Sequence, residues 1–245
     1  MIYETTVAKD SPTLSEDQIN KAKECADIFF GYKFKNFDEE LTTVKKFTED
    51  TIIKATYKRD LDKKYDVTCG EQNNAYSFDT MLKFRTENEP DEILWTVNGK
   101  NFDYGATAKV YVCTDMTVAE GDATGFDKNT PFVTVLGTAK KGNSFITFSH
   151  VYNPTENPIT DSGVSFISET MYTDISTNGN VNTDWKKFGF ANTKSPAVAN
   201  CGALSGKDFM GILYGIPEGK TRYAQGYVEI GGVTYLTDAV SNNAQ

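Results

Sequence analysis

The segment Ile216-Pro-Glu-Gly-Lys-Thr-Arg-Tyr223-Ala-Gln-Gly-Tyr227-Val-Glu-Ile-Gly-Gly-Val-Thr-Tyr235 constrains the fold of this chain more than any other stretch. A Pro/Gly turn leads into a run with bulky Tyr223 and Tyr227 in alternation, and Gly231-Gly232 then interrupts it. Glycine populates positive φ without steric cost, so two alternating runs joined by Gly-Gly read as a β-hairpin with a tight turn. A hairpin of this kind closes a β-sandwich, an architecture that serves binding more often than catalysis.

The same period of two begins at Thr51. Short β-branched or aromatic runs cover Thr51–Tyr57, Tyr65–Cys69, Tyr76–Phe84, Ile93–Val97 and Ala106–Cys113, punctuated by Gly, Asn, Asp and Pro. Asn98-Gly99 after Trp95-Thr-Val predicts a type I′ turn. The polar, Gly- and Asp-rich stretch 114–130 reads as a long loop or interdomain connection. A second series of strands follows at Phe132–Leu136, Ser144–Ser149, Gly163–Ser168, Gly211–Tyr214, Tyr223–Ile230 and Val233–Leu236. Between 173 and 208 lies a polar insertion too long to stay structureless in a compact domain, so one or two irregular strands are expected inside it.

Helix signals are confined to the N-terminal part. Ser15-Glu-Asp-Gln18 is a capping box, and Ile19, Ala22, Ala26 and Phe29-Phe30 then recur at helical spacing up to Gly31. This predicts one amphipathic helix over about 16–30. A second candidate over Asp38–Phe47 is diluted by Thr42-Thr43-Val44. The pattern divides the chain into an N-terminal helical segment (1–31), a β-rich domain (32–130) and a β-sandwich (131–245). The fold class is mainly β.

Charge and cysteine usage exclude several functions. The chain has 25 Lys and Arg against 34 Asp and Glu, a formal net charge of -9, with no basic cluster free of acids. Lys58-Arg59 and Lys63-Lys64 alternate with Asp60, Asp62 and Asp66, which reads as a solvated hairpin end and not a phosphate site. Nucleic acid is therefore not an expected partner. Cys25, Cys69, Cys113 and Cys201 lack any C-x-x-C pairing and so suit neither a zinc ribbon nor a thioredoxin-type motif; free, partly buried thiols are expected, although three disulfide connectivities fit. No apolar run is long enough to span a membrane, and the residues after Met1 lack a secretory signal. An extracellular, cell-surface or virion setting then requires either a removed signal or synthesis in a cytoplasm followed by release through lysis.

Thr134-Val-Leu-Gly137-Thr, Phe145-Ile-Thr-Phe148, Pro158-Ile-Thr-Asp-Ser-Gly163-Val-Ser-Phe166, the Ile216–Val228 run and Val233-Thr-Tyr235 occur in an order that resembles immunoglobulin-like or fibronectin type III-like modules of bacterial surface proteins, modules also found on phage virion proteins. The resemblance covers about 131–240. It implies an immunoglobulin-like β-sandwich for the C-terminal part, with Gly219, Tyr223 and Tyr227 in structural roles and Tyr223 as a tyrosine corner. Lys220, an extra residue before Thr221, and the 173–208 insertion depart from the pattern. The resemblance implies structural or adhesive work through protein subunits or surface components.

Candidate chemistry is sparse. His150, the lone histidine, sits at the end of a strand and reads as solvated or at a strand edge. No Gly-x-Ser-x-Gly elbow, P-loop or dinucleotide motif is present, so no enzyme class is indicated. Asp115, Glu120, Asp122 and Asp127, with Gly121 and Gly125 between them, form an oxygen-rich loop whose possible ligand is calcium, against the simpler reading of a solvated loop. Trp185, Phe188 and Phe190 lie in the polar insertion, where their rings either plug the sandwich end or stack on a sugar face or partner. Trp95 alternates with core-type neighbours and reads as core. Two functions follow: a non-catalytic structural or adhesive protein, and a carbohydrate-binding module using the aromatic residues of the insertion.

Overall fold

The computed structural model describes residues 4–27, 30–86, 92–178, 198–200 and 208–243, the short 198–200 stretch by its backbone. The chain is mainly β. It divides into two compact units, residues 1–63 and 64–245.

The first unit holds helix α1 (Glu16–Ala26), strand β1 (Tyr32–Phe37) and strand β2 (Ala55–Arg59). The Ser15 side chain accepts from the Gln18 amide at 3.2 Å while Gln18 accepts from the Ser15 amide at 2.9 Å, so two of the otherwise orphaned N-terminal donors are satisfied. Among the described residues of this unit, Ile19, Ala26 and Phe30 are the buried apolar ones. β1 and β2 pair antiparallel with a register shift between Phe34 and Asn36. Asp38–Phe47 is not helical: Thr43 and Val44 form a turn, and Lys46 bridges to Thr13. The two threonines and the valine lose χ1 freedom in a helix, and no buried face offsets that cost.

The second unit begins with β3 (Lys64–Cys69), β4 (Gln72–Ser77), β5 (Met81–Arg85), β6 (Ile93–Val97), β7 (Lys100–Gly105), β8 (Thr107–Tyr111) and β9 (Met116–Glu120). Five of them form a sheet in the order β4-β3-β9-β6-β7, in which β3 and β9 run parallel; β5 and β8 pair separately. β9 falls inside the stretch expected to be a loop, because Met116 and Val118 alternate inward and are buried. The Asn98-Gly99 turn has φ of 52° and 73°, the positive values that a type I′ turn demands. Tyr76–Phe84 is two strands, broken where Asp79 takes φ 61°.

The remaining strands are β10 (Phe132–Lys141), β11 (Ser144–Tyr152), β12 (Ile159–Ser168), β13 (Val198–Asn200), β14 (Asp208–Leu213), β15 (Arg222–Ile230), β16 (Val233–Leu236) and β17 (Val240–Ser241), with helix α2 (Glu169–Asn178) after β12. They form one sheet in the order β10-β11-β14-β13 and another in the order β12-β15-β16, with β17 on β15. Val133, Phe145, Val151, Phe209 and Leu213 from the first sheet meet Val164, Phe166, Ala224, Val228 and Ile230 from the second in one core. The close approach of the sheets requires glycine at 211, where a Cβ would stand 2.5 Å from Val164 Cβ. Gly231-Gly232 turns the last hairpin with φ of 57° and 79°. α2 is a helix that the sequence reading lacks; it covers the outer face of the second sheet through Ile167, Ile175, Met171, Tyr172 and Tyr223.

All nine residues of β11 are buried. One face joins the core just described, and the other meets the first half of the unit through Phe148 on Phe78, with ring centroids 6.0 Å apart, and His150 on Phe102. Residue 130, expected as a domain boundary, therefore does not divide compact units. The aromatic side chains on both sides of it share one packed interior.

Candidate functional site

His150 and Asp208 form the most unusual constellation among the described residues. They are direct cross-strand partners on β11 and β14. His150 Nδ1 hydrogen-bonds Asp208 Oδ1, and the two side chains are 5% and 1% exposed. This corrects the expectation of a solvated or edge histidine: β11 is an interior strand of its sheet and is covered on both faces. The imidazole stacks on Phe102 with centroids 3.9 Å apart and planes at 28°. Cys113 is fully buried nearby, and burial first, then the Asp208 charge, push its thiol pKa well above the ordinary value. A thiol held protonated this way is a poor nucleophile.

Several buried polar atoms in this region have no partner among the described residues. They are His150 Nε2 and Asp208 Oδ2, together with Thr147 Oγ1, Ser149 Oγ and Gln225 Oε1. A hydrogen-bonded His-Asp pair is the orienting half of many nucleophile relays, but a relay also needs a nucleophile at the second ring nitrogen and a path for substrate. The Nε2 atom here faces neither among the described residues. The pair as built clamps β11 to β14 in register. Asp208 was not singled out from the sequence. Its signal was position: one acid opening the apolar run Phe209-Met-Gly-Ile-Leu213, opposite a lone histidine in another apolar run.

The four carboxylates of the oxygen-rich loop serve four separate local tasks. Asp115 accepts from the Asp66 amide at 2.9 Å. Asp122 accepts from the Thr124 amide at 2.8 Å, and its pKa is lowered by the Thr124 hydroxyl and amide. Asp127 accepts from the Asn129 amide at 2.9 Å and the Thr130 hydroxyl at 2.5 Å, and these hydrogen bonds, Thr130 first, lower its pKa. Glu120 lies on β9 opposite Trp95, and its charge adds to burial in raising the Cys69 thiol. Among the described residues no three His, Cys, Asp or Glu side chains gather as a metal-ligand group. The loop is instead anchored by rings: Phe126 sits 5.7 Å from Tyr104 and 6.0 Å from Phe132, and the Tyr152 hydroxyl donates to the Lys128 carbonyl at 2.6 Å.

Trp185, Phe188 and Phe190 lie outside the described residues, as does Cys201; Cys25, Cys69 and Cys113 are free thiols. Trp95 is buried, and its indole N–H donates to the Gly105 carbonyl at 2.9 Å. Tyr223 stacks on Tyr172 with centroids 3.8 Å apart and planes at 7°, so its ring fastens α2 to the sheet. No tyrosine-corner hydrogen bond from its hydroxyl is present among the described residues. Tyr227 is buried with its hydroxyl 3.4 Å from Asp161, and Gly219 turns the chain at φ 70°.

The first unit exposes apolar side chains: Val44 and Ile52 are each 80% exposed and Leu61 53%. Among the described residues no helix is long and apolar enough to cross a membrane. The chain matches no known family, no curated protein and no solved structure.

Proposed function

We propose that this chain is a non-catalytic structural or adhesive protein of a bacterial cell surface or a phage virion. It works through protein-protein contacts of immunoglobulin-like β-sandwich modules, with interior side chains spent on rigidity and outward ones on neighbours. The observation that carries the reading is the imbalance of the first unit. Among the described residues of this 63-residue unit, Ile19, Ala26 and Phe30 are buried while Val44, Ile52 and Leu61 lie in water. A unit this small is marginal on its own core, and apolar side chains held at its surface gain free energy when a partner covers them.

The clamp between His150 and Asp208 fits the same reading, since it fixes an interior strand of its sheet in register. The test uses the full chain, labelled and applied to intact cells or phage particles of its source. The double variant Val44→Asp/Ile52→Asp should bind at least about tenfold more weakly than the wild type while unfolding at the same temperature, because two apolar anchors are worth about 1.5–3 kcal/mol each when fully buried. A wild type that binds neither cells nor particles and stays a single chain at every concentration defeats the proposal.

A further inference from the structure

We infer that β4 is a docking edge for a second copy of this chain, paired antiparallel through Gln72–Ser77; the inference rests on the protein-contact reading and names one surface for it. Among the described residues β4 is terminal in the five-stranded sheet and hydrogen-bonds β3 alone. Its register with β3 runs unbroken over six residues from Cys69↔Gln72 to Lys64↔Ser77. Gln72, Asn73, Asn74 and Ala75 are exposed. The outward amides and carbonyls of such an edge are a template for another strand.

Proteins ordinarily block that template with charge, proline, a bulge or brevity. Every other described edge strand here carries one of these devices. β1 and β2 hold Lys33, Lys35, Lys58 and Arg59, and their register is bulged. β5 and β8 hold Lys83, Arg85 and Lys109. β7 holds Lys100 and Asp103 beside a register shift; β10 and β12 combine Lys140, Lys141 and Asp161 with shifts of their own. β13, β16 and β17 are short, at 3, 4 and 2 residues. β4 alone is six residues long, regular and free of charge or proline.

A second copy is the occupant that this chemistry favours. The chain as a whole is acidic, so most of its surface repels a second copy, and an uncharged edge is where two copies meet at least electrostatic cost. The edge is also self-complementary. With the two-fold centred on Asn74, Asn73 faces Ala75 of the second copy, Gln72 faces Tyr76, and Glu71 meets Ser77, so no two acids oppose one another. The Asn74 side-chain amide donates and accepts at once and so pairs with its own copy across the two-fold. The five-stranded sheet then continues through both chains as a closed, isologous dimer.

The test is sedimentation of the full chain from low concentration up to about 1 mM, the range in which a small interface associates, alongside Ala75→Lys. Residue 75 is exposed, so the variant keeps the fold, and an unchanged unfolding temperature checks that. The expected result is a mass approaching twice that of one chain in the wild type, with single-chain mass in Ala75→Lys at the same concentrations. Amide exchange within residues 72–77 should slow as the wild-type concentration rises. Wild-type chain of single mass throughout overturns the inference, as does a dimer that survives Ala75→Lys. Neither result touches the protein-contact reading, which fails only when binding to cells and particles is also absent.

Discussion

Asp208→Ala tests the interior clamp. The substitution removes the acceptor of the His150 Nδ1 hydrogen bond in a place where the imidazole is only 5% exposed, so water cannot replace it. Leaving a buried polar group unsatisfied costs about 1–3 kcal/mol. Removing one partner of a buried ionisable pair costs about 3–5 kcal/mol in all, because the remaining group stays desolvated with its partner gone. Against a typical total stability of about 5–15 kcal/mol, that is a large fraction. For a unit spanning 64–245 the expected fall in melting temperature is roughly 6–20 °C. The double replacement His150→Phe/Asp208→Val supplies the second arm. It removes both polar groups and stacks an aromatic ring on Phe102, so it should cost less than Asp208→Ala alone. Urea unfolding of the wild type, the single variants His150→Phe and Asp208→Val and their double variant completes a double-mutant cycle. A cost below about 1 kcal/mol for Asp208→Ala, or a double variant equal to the sum of the singles, refutes the clamp.

Other outcomes follow from the packing and the loops. Gly211→Ala should destabilise by about 1–3 kcal/mol, since its Cβ would meet Val164 at 2.5 Å, and Val164→Ala in the same chain should recover part of that loss in urea unfolding. Thiol alkylation followed by peptide mass spectrometry should label Cys25 and Cys69 well before Cys113, whose thiol is buried and held protonated. The lowered pKa of Asp127 means that its hold on Asn129 and Thr130 is complete above the ordinary carboxyl value of 3.8 and lost as pH falls through the folded value. The Asn129 amide shift, followed by NMR from about pH 6 to about pH 2, should report that loss, and Asp127→Asn should abolish the titration.

What could be read from the sequence depended on whether local chemistry decided the structure. The Ser15/Gln18 box, the Asn98-Gly99 and Gly231-Gly232 turns and the runs Ile93–Val97 and Val233–Leu236 all appear as expected, because capping and positive φ are set within four residues. α2 was missed because Thr173, Asp174, Ser176 and Thr177 give it weak intrinsic preference; its stability comes from Ile175 and Tyr172 packing on Ile167 of the preceding strand and on Tyr223, which is distant in sequence. β9 was missed because its five residues sit among Asp and Gly, and it is held by parallel pairing to β3 some 50 positions earlier. The burial of His150 was hidden for a related reason. A single sequence shows that β11 is apolar, but only the arrangement of layers shows that both of its faces are covered. The open edge of β4 was equally invisible, since a strand's place in its sheet is a property of topology.

The most direct measurement of the central claim is binding of the labelled full chain to intact cells or phage particles whose surfaces have been treated beforehand with protease or with glycosidases. Contacts made protein to protein predict that protease abolishes binding and that glycosidases leave it unchanged. Binding that resists protease and disappears after glycosidase treatment contradicts the account and assigns the chain to carbohydrate recognition.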